Sequence, residues 1–408
     1  MNDLGENMNF RFGQPELKGK YDVAVVGGGV AGVAAALAAA REGASVVLLE
    51  KLAALGGLGT VGLINWYEPL CDGKGRKIIG GICEEMLLES IKYGGDDLAQ
   101  DWKETGASEQ GNMKKRRYVT HYSPTAFAVA LLGMLKDAGV TVRFDTLATY
   151  PQGEGGHIDG ILCETKSGCE YFECKVIIDA SGDADVFHRF GCECLTGKNF
   201  MSYTSHYLDF ASKDDLKLAT VRKWTLTGAT MTGGNQPEDV PLLEGVTSDD
   251  VNTYLIAGQT MLLDKLKTMD RNAGEFVSIP MMAQFRTTRH IVGEYTLTED
   301  DIYRHFDDSI GTFGDFRPSR RGQWYEVPYR TLYSVGCDNL LAAGRVISSE
   351  GEAWKATRVI PVCCLTGEAA GRAAAIAAAD GVGVADVDVA KLRRKMADNK
   401  NIVDYEEI

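Results

Sequence analysis

Positive charge is scarce in this 408-residue sequence: 43 Lys and Arg stand against 57 Asp and Glu, a formal net charge of -14. Nucleic acid and anionic membranes both need clustered cations, so neither is an expected partner. The one basic run, "KKRR" at 114–117, reads as a solvated loop. Long apolar runs are missing too. No stretch approaches 18 uninterrupted apolar residues, and the alanine-rich run at 366–379 carries Glu368 and Arg372, so it reads as a buried helix rather than a membrane span. The first twenty residues lack a signal peptide's apolar core. The ten cysteines are scattered without a C-x-x-C pair, which excludes a disulfide scaffold and the usual zinc and iron–sulfur spacings. No metal site is expected, and a reducing cytoplasm is the expected compartment. There is no internal repeat or low-complexity tract.

Glycine, by contrast, is concentrated. In "YDVAVVGGGVAGVAAALAAAREGASVVLLEK", residues 21–51, an apolar run suited to a buried parallel strand meets three glycines, an alanine-rich helix stopped by Gly43, and a second buried strand ending in Glu50. The spacing G-x-G-x-x-G falls on Gly27, Gly29 and Gly32. Gly27 makes the tight turn, Gly29 lets a pyrophosphate approach the backbone, and Gly32 lets helix and strand pack closely. Val30 and Ala31 open the helix, whose N-terminus offers free N–H groups and partial positive charge. Glu50, 23 residues after Gly27, is placed to accept a ribose's hydroxyls, with Lys51 beside it. This is a dinucleotide-binding β-α-β unit.

Three further segments fall into a familiar order. "KLAALGGLGTVG" follows the second strand, "KVIIDASGDADV" is a strand running into Ala-Ser-Gly-Asp, and "DNLLAAGRVIS" is a late strand ending in Gly344-Arg345. The chain resembles the FAD-dependent oxidoreductases of the broad glutathione-reductase-like superfamily, distantly related to succinate dehydrogenase and fumarate reductase flavoproteins. The likeness covers about residues 20–65, 120–195 and 280–380, and includes "FRTTRHIVGEYTLTEDDI", "VPYRTLYSVGCDNLLAAGRVIS" and "RVIPVCCLTGEAAGRAAA". It implies noncovalent FAD. Gly27 and Glu50 would hold the ADP half, and Gly56, Gly57 and Thr60 would lie along the pyrophosphate. Ala148 would meet adenine through its backbone. Ala180, Gly182 and Asp183 would return beside the nucleotide, and Gly344-Arg345 would lead to the ribityl chain. A helix starting at Arg358 or Val359 would aim its N-terminus at the flavin N1 and O2 edge.

The fold expected is α/β: a Rossmann-like FAD-binding domain with a parallel sheet, flanking helices and a small antiparallel sheet, plus an α+β substrate domain. The FAD domain would be discontinuous, 20–195 and 334–408, after an N-terminal tail at 1–19. Residues 65–115 form an excursion or lid, and 196–333 the substrate domain. "SPTAFAVALLGMLKDAG" reads as a helix with Ser123 as N-cap and Pro124 at its first position. No cysteine pair stands in "LGGLGTVGLINW", which argues against a dithiol mechanism, and no second G-x-G-x-x-G marks an NAD(P)H domain. Electrons must therefore pass to or from a diffusible donor or acceptor, a partner protein or oxygen. A homo-oligomer is compatible with the composition.

On the substrate side, "FRTTRH" brings together Arg286, Arg289 and His290; strand alternation would put Arg286 and His290 on one face and Arg289 on the other. The resemblance favours Arg289 as the cation nearest the flavin. His121 and His206 are the other acid–base candidates. The reading is an oxidoreductase that moves a hydride between a small polar organic substrate and flavin N5. Two alternatives stand beside it: reduction of a C=C bond in an unsaturated acid, as in fumarate reductase, and a flavin-carrying electron-transfer subunit or redox-linked binding protein.

Overall fold

The computed structural model describes residues 15–100, 102, 118–212, 222–315 and 317–406. The "KKRR" run, residues 1–14 of the expected tail and residues 103–115 of the expected excursion lie outside them.

The chain opens with β1 (Glu16–Val26), α1 (Val30–Arg41) and β2 (Val46–Leu49), paired in parallel from Val23↔Val46 to Val26↔Leu49. Residues 16–19 of the expected tail belong to β1, with Glu16 opposite Glu170. Then come β3 (Trp66–Tyr67), α2 (Gly81–Ile91), β4 (Thr120–His121), α3 (Pro124–Asp137), β5 (Thr141–Arg143), β6 (Thr146–Glu154), β7 (His157–Thr165) and β8 (Gly168–Asp179). Helix α3 has the expected cap: Ser123 Oγ accepts from Ala126 N–H at 3.4 Å, with Pro124 in the first turn. The chain continues with α4 (Asp185–Phe190), β9 (Cys194–Thr196), β10 (Ser202–Asp209), β11 (Arg222–Gly228), α5 (Ser248–Thr268), β12 (Gly274–Ser278) and β13 (Arg289–Ile291). It closes with β14 (Ser309–Gly314), β15 (Trp324–Pro328), β16 (Leu340–Ala342), α6 (Gly351–Thr357), α7 (Ile360–Asp380) and α8 (Val389–Asp398).

One sheet dominates, in the order β5-β2-β1-β8-β7-β6, with β16 also on β8. The fold is the expected α/β class. The antiparallel part is continuous with the parallel sheet, because β8 is long enough to serve two neighbours on one edge. Its first half pairs antiparallel with β7 (Gly168 to Glu173), and Ile177–Asp179 pair parallel with β16.

Helices α1 and α7 cover the sheet in close contact. A Cβ on Gly367 would lie 2.2 Å from Ala31 O, and one on Gly371 would lie 2.1 Å from Ala35 O. Alanine and glycine thus set the helix separation, and the fully buried Val23–Val25, Leu37, Ile177 and Leu341 fill the space below. Helix α7 is the one helix among the described residues long and apolar enough to cross a bilayer, and 89% of its most apolar window is buried inside the molecule.

The middle region builds a second sheet, β11-β10-β12, antiparallel throughout. One face packs with α5 around Met201, Tyr203, Tyr254, Leu262 and Phe285. That core stops at 285. Ile291, Ile310, Phe313, Trp324, Tyr325 and Tyr329 pack into the main core, so the later part of 196–333 is built onto the FAD-binding body.

Close backbone approach makes a direct prediction. A Cβ on Gly32 would sit 1.9 Å from Gly27 O, whereas nothing lies within 4 Å of one on Gly133. Gly32→Ala should therefore cost about 1–3 kcal/mol and lower bound flavin. Gly133→Ala, within α3, should stabilise by about 0.5–1 kcal/mol and leave flavin content alone. Urea unfolding and flavin absorbance of the purified variants check both.

Candidate functional site: a dinucleotide cleft

The carboxyl ends of β1, β2, β8 and β16 open onto a cleft of about 1000 Å³, counting its mouth. In an open parallel sheet this is where a ligand binds. Gly27, Gly29, Val30, Ala31, Glu50, Lys51, Gly56, Gly57, Ala148, Ala180, Gly182, Gly344, Arg345 and Arg358 all line it. Gly27 turns at φ +100°, where a Cβ would meet Ala180 O at 2.5 Å. At Gly29 a Cβ would meet no protein atom within 4 Å, which leaves this backbone bare to a ligand. Gly56 N–H donates to Gly28 O at 2.8 Å, drawing the second glycine loop beside the first.

Glu50 is nearly inaccessible, and burial raises its carboxyl above the usual range. Its Oε2 accepts from Gly28 N–H at 2.6 Å and its Oε1 from Leu52 N–H at 2.7 Å. The remaining lone pairs suit ribose hydroxyls. Two helix N-termini, of α1 and α7, meet the cleft, the latter through Arg358, Ile360 and Cys363. Val359 is the N-cap of α7, one residue behind that lining.

Four cofactor candidates stand back from the lining: Gly32, Val359, Thr60 and Asp183. Thr60 donates its hydroxyl to Leu55 O, folding the second glycine loop on itself. Asp183 receives Arg345 Nη2 at 2.8 Å, while Arg345 Nε reaches Gly182 O and Nη1 reaches Phe285 O at 2.6 Å. Arg345 therefore ties the return loop after β8 to the middle region. Asp179, wholly buried, caps α4 by accepting from Val186 N–H at 2.8 Å and Phe187 N–H at 3.2 Å; its burial pushes it up to about 6.

The five substrate-side candidates separate. Arg289 is held by Asp183 O at 3.0 Å, by the Asp185 carboxylate at 3.1 Å and by Val246 O at 3.1 Å. His290 is buried edge-on against Trp354, with Nδ1 2.9 Å from Ile291 O. Within "FRTTRH", residues 285–290, only Arg289 and His290 lie in a strand, so Arg286 is not bound by its alternation. Arg286 reaches Met231 Sδ and, at 3.5 Å, Ser202 Oγ, and burial lowers its pKa. Arg358 is pulled down to about 10, first by burial and then by the like charges of Arg286 and Arg345, with Glu68 opposing; its Nε has no hydrogen-bond partner.

Ser202, Thr204 and His206 share one face of β10, and Trp224 lies opposite His206 on β11. His206 donates from Nε2 to Leu63 O at 3.1 Å, which fixes the tautomer and leaves Nδ1 buried without a partner. Trp224 Nε1 donates to Asn65 Oδ1 at 2.6 Å, Asn65 Nδ2 to Tyr122 O at 2.8 Å, and His121 is wedged between Trp66 and Trp224. Gln284 Nε2 donates to Gly62 O at 2.7 Å. The middle sheet is thus fastened over loop 59–65. Asn65, Trp224, Gln284 and Leu63 gave no signal as a group in the sequence, and Leu63's positive φ of 62° is not one its residue type announces.

The pattern of a family described as FAD dependent oxidoreductase matches residues 22–206 and 204–396. The chain belongs to that family. It is an oxidoreductase with FAD as cofactor, and the bare Gly29 backbone, the Glu50 carboxylate and the two helix N-termini fit that group. The chain is 27% identical over 205 residues to digeranylgeranylglycerophospholipid reductase of Methanosphaerula palustris, covering 47% of this chain and 46% of that one. It is 29% identical over 194 residues to L-aspartate oxidase of Mycobacterium bovis, covering 41% and 36%. It is 52% identical over 95 residues to NADH:acrylate oxidoreductase of Vibrio harveyi, covering 22% and 9%. The chain spans less than half the length of these curated relatives.

Two predictions follow from the site of this FAD-dependent oxidoreductase. Glu50→Gln sets an amide against two backbone donors and removes charge-assisted bonds worth about 1.5–3 kcal/mol each, so FAD affinity should fall tenfold or more. Flavin release followed by fluorescence measures it. His206 is depressed to about 4, chiefly by burial. The unfolded chain then binds more protons than the folded one between about pH 6.5 and 4, so stability present above this window is lost as pH falls through it, by up to about 3 kcal/mol. His206→Gln can still donate to Leu63 O and should flatten the acid side of a plot of urea midpoint against pH.

Proposed function

We propose that this oxidoreductase moves a hydride between flavin N5 and a carbon of a small anionic substrate, with Arg286 holding the anion and Arg358 lying between it and the cofactor. The observation that carries the reading is the pair of cations: burial lowers the pKa of both, Arg286 bears on Arg358 as a like charge with Glu68 opposing, and neither makes a salt bridge among the described residues. A partly buried cation held in no salt bridge is costly, so an anionic ligand is the natural complement. Bound FAD supplies the two-electron chemistry at N5. His206 Nδ1 is an unprotonated acceptor suited to take a proton in oxidation, and His121, also held neutral chiefly by burial, is the nearby alternative.

A second reading, reduction of a C=C bond conjugated to a carboxylate, draws support from the same arginines and from the local likeness to a protein named for acrylate. The two directions share one binding site. Anaerobic bleaching of the oxidised flavin by saturated carboxylic acids, and reoxidation of the reduced flavin by unsaturated ones, separates them. Arg286→Lys keeps the charge and loses the planar fork, so it should slow the active direction at least tenfold with FAD content intact. Arg289→Lys should instead lower stability and FAD content, since Arg289 secures Asp183 and Asp185. Full activity in Arg286→Lys removes that residue from the reading. Turnover with no small molecule, but with a protein acceptor, would favour an electron-transfer subunit.

A further inference from the structure

We propose that Met231 selects the anion at Arg286: its thioether covers the guanidinium until a carboxylate displaces it, and then packs against the carbon chain that the carboxylate carries. The inference rests on the reading of Arg286 as the anion's holder and gives that site a substrate class, monocarboxylates with an apolar body.

One short segment, 199–202, brings the two residues together. Asn199 is buried, and its Oδ1 accepts from Arg286 N–H at 2.7 Å and from Thr287 N–H at 3.0 Å. Its Nδ2 donates to Thr287 O at 2.8 Å and to Leu243 O at 3.1 Å, so the backbone at Arg286 is pinned from both sides of the amide. The turn after β11 is fastened to the same segment: Ala229 N–H donates to Met201 O at 2.6 Å, and Met201 N–H donates to Gln236 Oε1 at 2.9 Å. The turn also closes on itself. Thr230 N–H donates to Gly234 O at 2.7 Å, Gly234 N–H donates to Thr230 Oγ1 at 2.9 Å, and a Cβ on Gly233 would come within 2.5 Å of the Phe200 ring. Met231 sits in this turn, and its Sδ accepts from Arg286 Nη2, the atom that also reaches Ser202 Oγ at 3.5 Å.

The two ends of the contact differ in freedom. Arg286 is half-buried and held at its backbone, whereas Met231 is 44% exposed, and its side chain is unbranched with three rotatable bonds. They differ in strength as well. A thioether sulfur is a weak acceptor, while a carboxylate takes charge-assisted hydrogen bonds from a guanidinium. An incoming carboxylate therefore displaces the sulfur at small cost, and it is the side chain from the turn that moves.

The rest of the ligand then meets an apolar wall. Methionine has no donor to offer, so a second charged or polar group lying against it loses water without gaining a partner. A carbon chain in the same place buries apolar area on the thioether instead. The neighbouring hydroxyls do not change this: Thr230 Oγ1 accepts from Gly234 N–H and lies 3.3 Å from Thr232 Oγ1, within the turn. The other cation, Arg358, lines the cofactor cleft, so a second carboxylate beside Met231 has no cation of its own.

The experiment titrates the FAD-loaded protein with acetate, butyrate, hexanoate and succinate in a calorimeter, so that binding is read without turnover. Affinity of the wild type should rise about two- to fourfold for each added methylene, and succinate should bind more weakly than butyrate, which has the same number of carbons. Met231→Ala should flatten the rise and bring succinate level with butyrate, whereas Met231→Leu keeps the apolar body and should keep the rise. Met231→Glu sets a carboxylate within reach of Arg286 and should weaken every ligand about tenfold or more with FAD content unchanged. Arg286→Gln separates this inference from the reading beneath it. If that variant loses all carboxylate binding, Arg286 stands as the holder, and a chain-length rise that persists in Met231→Ala, or succinate binding as tightly as butyrate to the wild type, overturns the role of Met231 alone. Carboxylate binding that survives Arg286→Gln, or is absent from the wild type, overturns both.

Discussion

Four backbone elements at the centre of the main sheet, β1, α1, β8 and α7, meet more closely than side chains would allow. Gly27 turns against Ala180 O, Gly32 in α1 rests on Gly27 O, and Gly367 and Gly371 in α7 rest on α1 carbonyls. Because these contacts are between main chains, they fix the distances among β1, α1, β8 and α7 with little freedom to relax. The cleft is the space left over at the strand ends. Its width, the aim of two helix N-termini and the position of Glu50 all depend on these few glycines.

A second consequence concerns the return loop after β8. Asp179 is spent on capping α4, and Asp183 and Asp185 are spent on Arg345 and Arg289. Carboxylates near a pyrophosphate would repel it, and here they are neutralised by arginines from later in the chain. Those arginines also bond to Phe285 O and Val246 O, so the same ion pairs that quiet the nucleotide side secure the middle region above it.

This explains which parts of the site could be read from sequence. The dinucleotide cradle was legible because its chemistry is local: glycine spacing, a buried strand and a terminal carboxylate lie within 31 residues, 21 to 51. That Arg286 and Arg289 stand apart was expected from strand alternation, a ground that fails because Arg286 precedes the strand. What each arginine does was not legible, because the deciding partners are distant: Asp185 lies 104 residues from Arg289, and Met231 lies 55 from Arg286. His206 is similar. Its tautomer is set by the carbonyl of Leu63, 143 residues away, in a loop whose backbone conformation its sequence does not reveal. The strand signal in β8 was clear, yet its service to two neighbours depends on length relative to β7 and β16, which is a property of the assembled sheet.

The charge balance gives the last step. With a net charge of -14 the protein has carboxylates to spare for its partly or fully buried cations, and it matches one to each of Arg289, Arg345, Arg317 and Arg372. Arg286 and Arg358 are the contrast: half-buried, bearing on each other as like charges, and without a salt bridge among the described residues. Relocating either charge to solvent would relieve the repulsion, so retaining both leaves the folded protein electrostatically incomplete at this point. Ligands that bring negative charge then gain affinity from a penalty already present in the fold, and the cofactor and an anionic substrate would each relieve part of it. On the proposed reading, the like charges of Arg286 and Arg358 would couple the two occupancies, so that neutralising one arginine changes what the other can offer.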